Sequence, residues 1–113
     1  MAIITEFTSC EYFCFTFLIS QNDDFSVNSI ELHSRKDKIV YYNRSQIKEF
    51  LKYLLQLFIT KDTINYNDVL LMEKDTTNYC YIIQYKAKEV IIHEKDVQIV
   101  QALAEKILEG MKN

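Results

Sequence analysis

From Tyr12 to Ser20 the chain alternates Phe13, Phe15, Phe17 and Ile19 with Tyr12, Cys14, Thr16 and Leu18, a period of two with apolar residues on both faces. This pattern predicts an interior strand. The turn-forming run Gln21-Asn22-Asp23-Asp24 follows. Phe25 to His33 then reads as a second strand whose apolar phase slips between Phe25/Val27 and Ile30/Leu32, which places a bulge near Asn28 or Ser29. Beyond a charged tip at Arg35-Lys36-Asp37-Lys38, a short third strand runs from Lys38 to Tyr42.

At Asn43 the period changes from that of a strand to that of a helix. Ile47, Phe50, Leu51, Leu54, Leu55, Leu57 and Phe58 recur at mixed three- and four-residue spacing, predicting an amphipathic helix over Arg44 to Thr60 that is apolar around most of its second half. Asn43 and Gln46 resemble a capping box, in which the first side chain accepts from a helix amide and the second reaches back. Asn43-Arg44-Ser45 also fits a glycosylation sequon, but a helix start explains it better.

A second round follows the same plan. Strands are expected near Val69 to Glu73, from Tyr79 to Tyr85 and from Glu89 to His93, joined by turns at Lys74-Asp75-Thr76-Thr77-Asn78 and Lys86-Ala87-Lys88. A closing helix from about Glu94 to Met111 carries the stripe Val97, Val100, Leu103, Ala104, Ile107, Leu108 and Met111, with Gly110 placed to end or fray it. A shift of about fifty residues superposes Val40 on Val90, Ile47 on Val97, Phe50 on Val100 and Phe58 on Leu108. The chain thus reads as an α+β fold of antiparallel sheet with two amphipathic helices, a βββα-βββα pseudo-repeat within one domain of residues 1–113, its halves about 1–60 and 61–113. In Lys38 to Phe50 and Lys88 to Val100, where a short strand runs into a helix, the plan is similar in architecture to single-strand-binding domains of the PUR and Whirly types. Those families carry basic strand faces, whereas the corresponding strands here offer Tyr, Ile, Thr and Gln.

Composition agrees with a folded domain and narrows its chemistry. At 113 residues, 49% of them hydrophobic, the chain is long enough to bury a core without staples, and with no proline and one glycine it has no linker composition. The net charge of −3 gives no concentrated basic excess of the kind phosphate contacts require. The apolar stretch Phe13 to Ile19 is too short to span a bilayer and follows Glu6 and Glu11, so neither a signal peptide nor a membrane helix is expected. An odd set of three cysteines, Cys10, Cys14 and Cys80, reads as free thiols in a reducing compartment, which points to cytoplasmic residence in a bacterial, phage-infected or host cell.

No motif for catalysis emerges. The two histidines, His33 and His93, stand near strand ends, and no Ser, Cys or Asp lies at the spacing of a known nucleophile motif. In extended chain Cys10 and Cys14 would lie about 13 Å apart, too far to share a metal. The one glycine sits in the closing helix, so no loop is built to cradle phosphate. No catalytic residue, cofactor or metal is therefore assigned.

What remains is aromatic and apolar surface. Tyr79, Tyr81 and Tyr85 fall on one strand face with Ile83, with Tyr41 or Tyr42 as expected neighbours. Such a row packs under a helix in most folds and otherwise forms a binding platform. The helix Ser45 to Thr60 is the other candidate, because Tyr53, Leu57 and Phe58 add to an already full core face and suit a contact with a second chain, including a homodimer. These observations lead to the expectation of a non-enzymatic protein that binds another protein, of the kind frequent among adaptors and among phage or mobile-element inhibitors of host defence. The alternative expectation is a single-stranded nucleic-acid binder, stacking bases on sheet aromatics and holding phosphates with Arg35, Lys36, Lys38, Lys86 and Lys88 at two hairpin tips. An enzyme of unknown class is the third, and no membrane partner is expected.

Overall fold

The computed structural model describes residues 3–66 and 70–111. Four strands, β1 (Ile3–Ser9), β2 (Phe15–Gln21), β3 (Val27–His33) and β4 (Lys38–Tyr41), lead into helix α1 (Arg44–Thr60). Four more, β5 (Ile64–Tyr66), β6 (Leu70–Asp75), β7 (Cys80–Tyr85) and β8 (Lys88–His93), lead through a 3₁₀ turn at Glu94–Asp96 into helix α2 (Val97–Gly110). Among the described residues the strands form two antiparallel meanders, β1-β2-β3-β4 and β5-β6-β7-β8. The α+β class and the repeated sheet-then-helix unit stand, with an extra edge strand opening each unit. Val69, where the pattern starts the first strand of the second round, lies outside the described residues.

Within the first sheet, Phe15, Phe17 and Ile19 of β2 face the core together with Ile30 and Leu32 of β3. The pairing jumps from Ser20↔Ser29 to Gln21↔Val27, which leaves Asn28 unpaired as the bulge that the phase slip predicts. Tyr12, Phe13 and Cys14 do not extend β2, contrary to the alternation. They form a loop in which Tyr12 stacks on His93 and Cys14 takes a positive φ of 51°, both of which draw the chain out of the ladder.

Asn43 caps α1, its Oδ1 accepting from the amides of Ser45 at 2.8 Å and Gln46 at 3.2 Å. Only half of the capping box forms, because the Gln46 side chain turns to the cleft described below. Lys61, with φ 61°, closes the other end and donates its amide to the Leu57 carbonyl. The second helix begins at Val97 rather than Glu94, because the His93 side chain caps the 3₁₀ turn by accepting from the Lys95 amide. Gly110 belongs to the last turn of α2 and Met111 follows it in right-handed conformation.

Helix α1 packs on β3, β4 and β6 and against α2, so it bridges the two sheets, while β4 lies beside β8. One core cluster therefore draws on both halves: Phe17, Leu32, Phe50, Leu54 and Leu57 join Met72, Ile83, Val90, Ile92 and Val100. The halves correspond in their helices at an offset of fifty, where Phe50/Val100, Leu54/Ala104 and Leu57/Ile107 are all buried. In the strands the buried pairs are Ile39/Val90 and Tyr41/Ile92, an offset of fifty-one. Val40 is only half-buried, between two buried neighbours, so superposing it on Val90 puts it on the wrong face, as a one-residue slip in a strand must.

Candidate functional site: an aromatic cleft and the basic groove beside it

The predicted tyrosine row divides once the chain is folded. Tyr81, Ile83 and Tyr85 share the helix-facing side of β7, and Tyr81 is buried with its ring edge-on to Phe58 at 5.2 Å between centroids. Tyr79 lies in the turn before β7 with φ 54° and is exposed, so it leaves the row. Leu57 and Phe58 are core residues, 0% and 6% exposed. For these two residues of α1, and for Tyr81 beneath it, burial in the core takes precedence over a contact surface.

Tyr41, Tyr53 and Tyr85 converge instead on a cleft between α1 and the strands. It is lined by Tyr41, Gln46, Glu49, Phe50, Tyr53, Tyr66, Leu70 and Tyr85. Tyr41 forms its floor: the ring lies 4.8 Å from Phe50 and 5.1 Å from Tyr85, and burial drives its hydroxyl well above the ordinary tyrosine range. Tyr53 and Tyr66 form the outer wall at 5.4 Å. The Tyr53 hydroxyl donates to Glu49 at 3.3 Å, and partial desolvation followed by the Glu49 charge raises its pKa. The space amounts to about 190 Å³, below the roughly 300–1,000 Å³ of pockets for drug-sized ligands. It fits one large side chain.

Tyr85 is also the wall of a second, more polar groove of about 510 Å³, lined by Lys36, Asn65, Leu71, Gln84, Lys86, Ala87, Lys88 and Glu89. The two hairpin tips meet there because the Glu89 amide donates to the Asp37 carboxylate at 3.0 Å and the Ser34 hydroxyl to the Glu89 carbonyl at 3.4 Å. Lys86 Nζ stands 5.3 Å from the centre of the Tyr85 ring. Of the five basic tip residues, Lys36, Lys86 and Lys88 reach this groove. Lys38 lies 3.9 Å from Glu31 and Arg35 engages Cys14, so neither joins it.

Phe50, Gln46, Glu49 and Tyr66 were not singled out as site residues by the sequence pattern. Phe50 is indistinguishable there from a core position, and Tyr66 sits in a strand of only three residues. His33 pairs with Glu31 at 3.2 Å, and His93 is occupied as the cap of the 3₁₀ turn and the stacking partner of Tyr12. Among the described residues no three of His, Cys, Asp and Glu converge as a metal site needs, and no helix is long and apolar enough to cross a membrane. No family model, no curated protein and no solved structure matches the chain.

Proposed function

We propose that the protein is a non-enzymatic binding module for a segment of another protein, acting as an adaptor or as an inhibitor of its partner in a reducing, cytoplasmic setting. The observation that carries this reading is the aromatic cleft ringed by Tyr53, Tyr66 and Tyr85 and opening beside a lysine-rimmed groove. An aromatic or large aliphatic anchor fills the cleft, and an acidic neighbour in the same segment lies over Lys36, Lys86 and Lys88. Tyrosine suits this task because it offers wide, stiff contact area with a polar tip at small entropic cost. The test is selection of random displayed peptides on the full chain, followed by calorimetry of the enriched sequences. Peptides with an aromatic or aliphatic anchor and a nearby Asp or Glu are expected, and Tyr66→Ala should weaken them about tenfold, equivalent to about 1.4 kcal/mol. Enriched peptides that bind Tyr66→Ala and Tyr53→Ala as tightly as the unaltered protein would remove the cleft from the proposal.

The convergence of Lys36, Lys86 and Lys88 favours a second reading, in which a base enters the cleft and phosphates follow the lysines. It is the weaker one, since Glu89 and Asp37 stand among those lysines and the chain carries −3 overall. Titration of a fluorescent single-stranded oligonucleotide at low and moderate salt decides: salt-sensitive binding supports it, and no binding at low salt eliminates it.

A further inference from the structure

The loop Cys10–Cys14 between β1 and β2 holds chemistry that the cleft does not use. The extended-chain spacing does not apply to these cysteines, because the chain reverses between them. The register pairs Ser9 with Phe15, so Cys10 and Cys14, the next residue on either side, face one another across the neck of the loop. The last ladder pair, Ser9 and Phe15, sets the neck at roughly 4.5–5.5 Å between Cα atoms; Cys10 and Cys14 leave the ladder one residue beyond it, and a disulfide spans roughly 4.4–6.8 Å. Cys10 is exposed and Cys14 half-buried, whereas Cys80 is buried. The loop is also fastened from outside. The Arg35 amide donates to the Phe13 carbonyl at 3.2 Å, and Tyr12 stacks on His93 with ring centroids 3.6 Å apart. Both the Arg35 guanidinium and the Cys10 thiol stand near enough to the Cys14 sulfur to lower its pKa.

We propose that Cys10 and Cys14 form a thiol–disulfide exchange site that reacts with small disulfides and closes into an intramolecular Cys10–Cys14 bond. Cys14, its proton lost to solvent, attacks one sulfur of glutathione disulfide. That S–S bond breaks, one glutathione leaves as thiolate, and a mixed disulfide remains on Cys14. Cys10, deprotonated by solvent, then attacks the Cys14 sulfur and expels the second glutathione. Two protein thiols are oxidised and one glutathione disulfide is reduced to two thiols. Cys14 is the natural first nucleophile, because the hydrogen bond and charge of Arg35 hold its pKa below the ordinary thiol value. Burial pushes Cys80 the other way.

The test is incubation of the reduced full-length protein with glutathione disulfide at neutral pH, acid quenching, alkylation and mass spectrometry of the intact chain and its peptides. The expected product has lost two hydrogens, contains a Cys10–Cys14 cross-linked peptide and still alkylates at Cys80. Cys10→Ser should stop at a lasting glutathione adduct on Cys14. Arg35→Gln should slow the first step, because losing the Arg35 charge and hydrogen bond lowers the thiolate fraction of Cys14 and the accompanying gain in nucleophilicity returns only part of that loss. Arg35→Lys should restore part of that rate. Separate glutathione adducts on Cys10 and Cys14 without the cross-link, or oxidation at Cys80 first, would overturn the proposal; both are read on the unaltered chain, so they need no variant to fold.

Discussion

Lys86 and Ala87 join β7 to β8, with Tyr85 and Lys88 paired on either side. Both have positive φ, 49° and 68°, the geometry of a type I′ turn that Asn-Gly ordinarily supplies. A left-handed conformation costs a non-glycine residue roughly 1–2 kcal/mol. Ala87→Gly removes that strain and returns roughly 0.4–1 kcal/mol through the greater freedom of glycine in the unfolded chain, so a net gain of about 0.5–1 kcal/mol is expected. The same substitution at Ala102, exposed in the interior of α2, should destabilise by about 1 kcal/mol. One chemical change thus acts with opposite sign at two sites, and the variants should differ by about 1.5–2 kcal/mol. With a urea dependence of roughly 1–3 kcal/mol per molar, their unfolding midpoints should lie about 1 M apart, on opposite sides of the unaltered protein. An Ala87→Gly midpoint at or below that of the unaltered protein would mean that the left-handed turn holds no strain for glycine to relieve. Lys86 shares the strain and lines the basic groove.

Two further outcomes bear on the corners of the fold. Asn43→Ala deprives the Ser45 and Gln46 amides of their acceptor and should destabilise by about 1 kcal/mol in urea unfolding, whereas Asn43→Asp should keep the cap; equal loss from both would contradict the cap assignment. The side chain and amide of Asn78 hold the Asp75 carboxyl below the usual carboxylate range. Because the folded value is the lowered one, the stabilisation is fully present above the unfolded value of about 3.9 and is lost as pH falls through the folded value. A carboxyl titration by NMR should therefore place the Asp75 midpoint below that of aspartate in a peptide, and a midpoint at or above it would contradict the turn geometry.

The fold was legible wherever one face of an element met the core. The phase slip that located the bulge at Asn28 and the period change at Asn43 follow burial at Ile30, Leu32, Ile47 and Phe50, whereas Phe25, read into the same strand, is exposed in the turn before it with φ 67°. The edge strands escaped notice for the complementary reason. Ile3–Ser9 alternates only between half-buried and exposed positions, and Ile64–Tyr66 spans three residues, so neither leaves a strong apolar signature. The site was legible in its residue types and not in its assembly. Tyr41, Tyr53 and Tyr85 were identifiable as aromatic surface, but their meeting depends on α1 bridging two sheets, and that contact is written in no local period. The same holds for Cys10 and Cys14, whose spacing says nothing until the chain is known to reverse between them.

The central claim is that the cleft receives an aromatic or aliphatic side chain from a partner protein. Its most direct test is aromatic and methyl NMR of the full-length chain, titrated with a peptide enriched on it. The ring signals of Tyr53, Tyr66, Tyr85 and Phe50 should shift first and furthest, with Lys36, Lys86 and Lys88 following when an acidic neighbour is present. Saturating binding that leaves those rings unmoved, with the shifts gathered elsewhere on the surface, would contradict it.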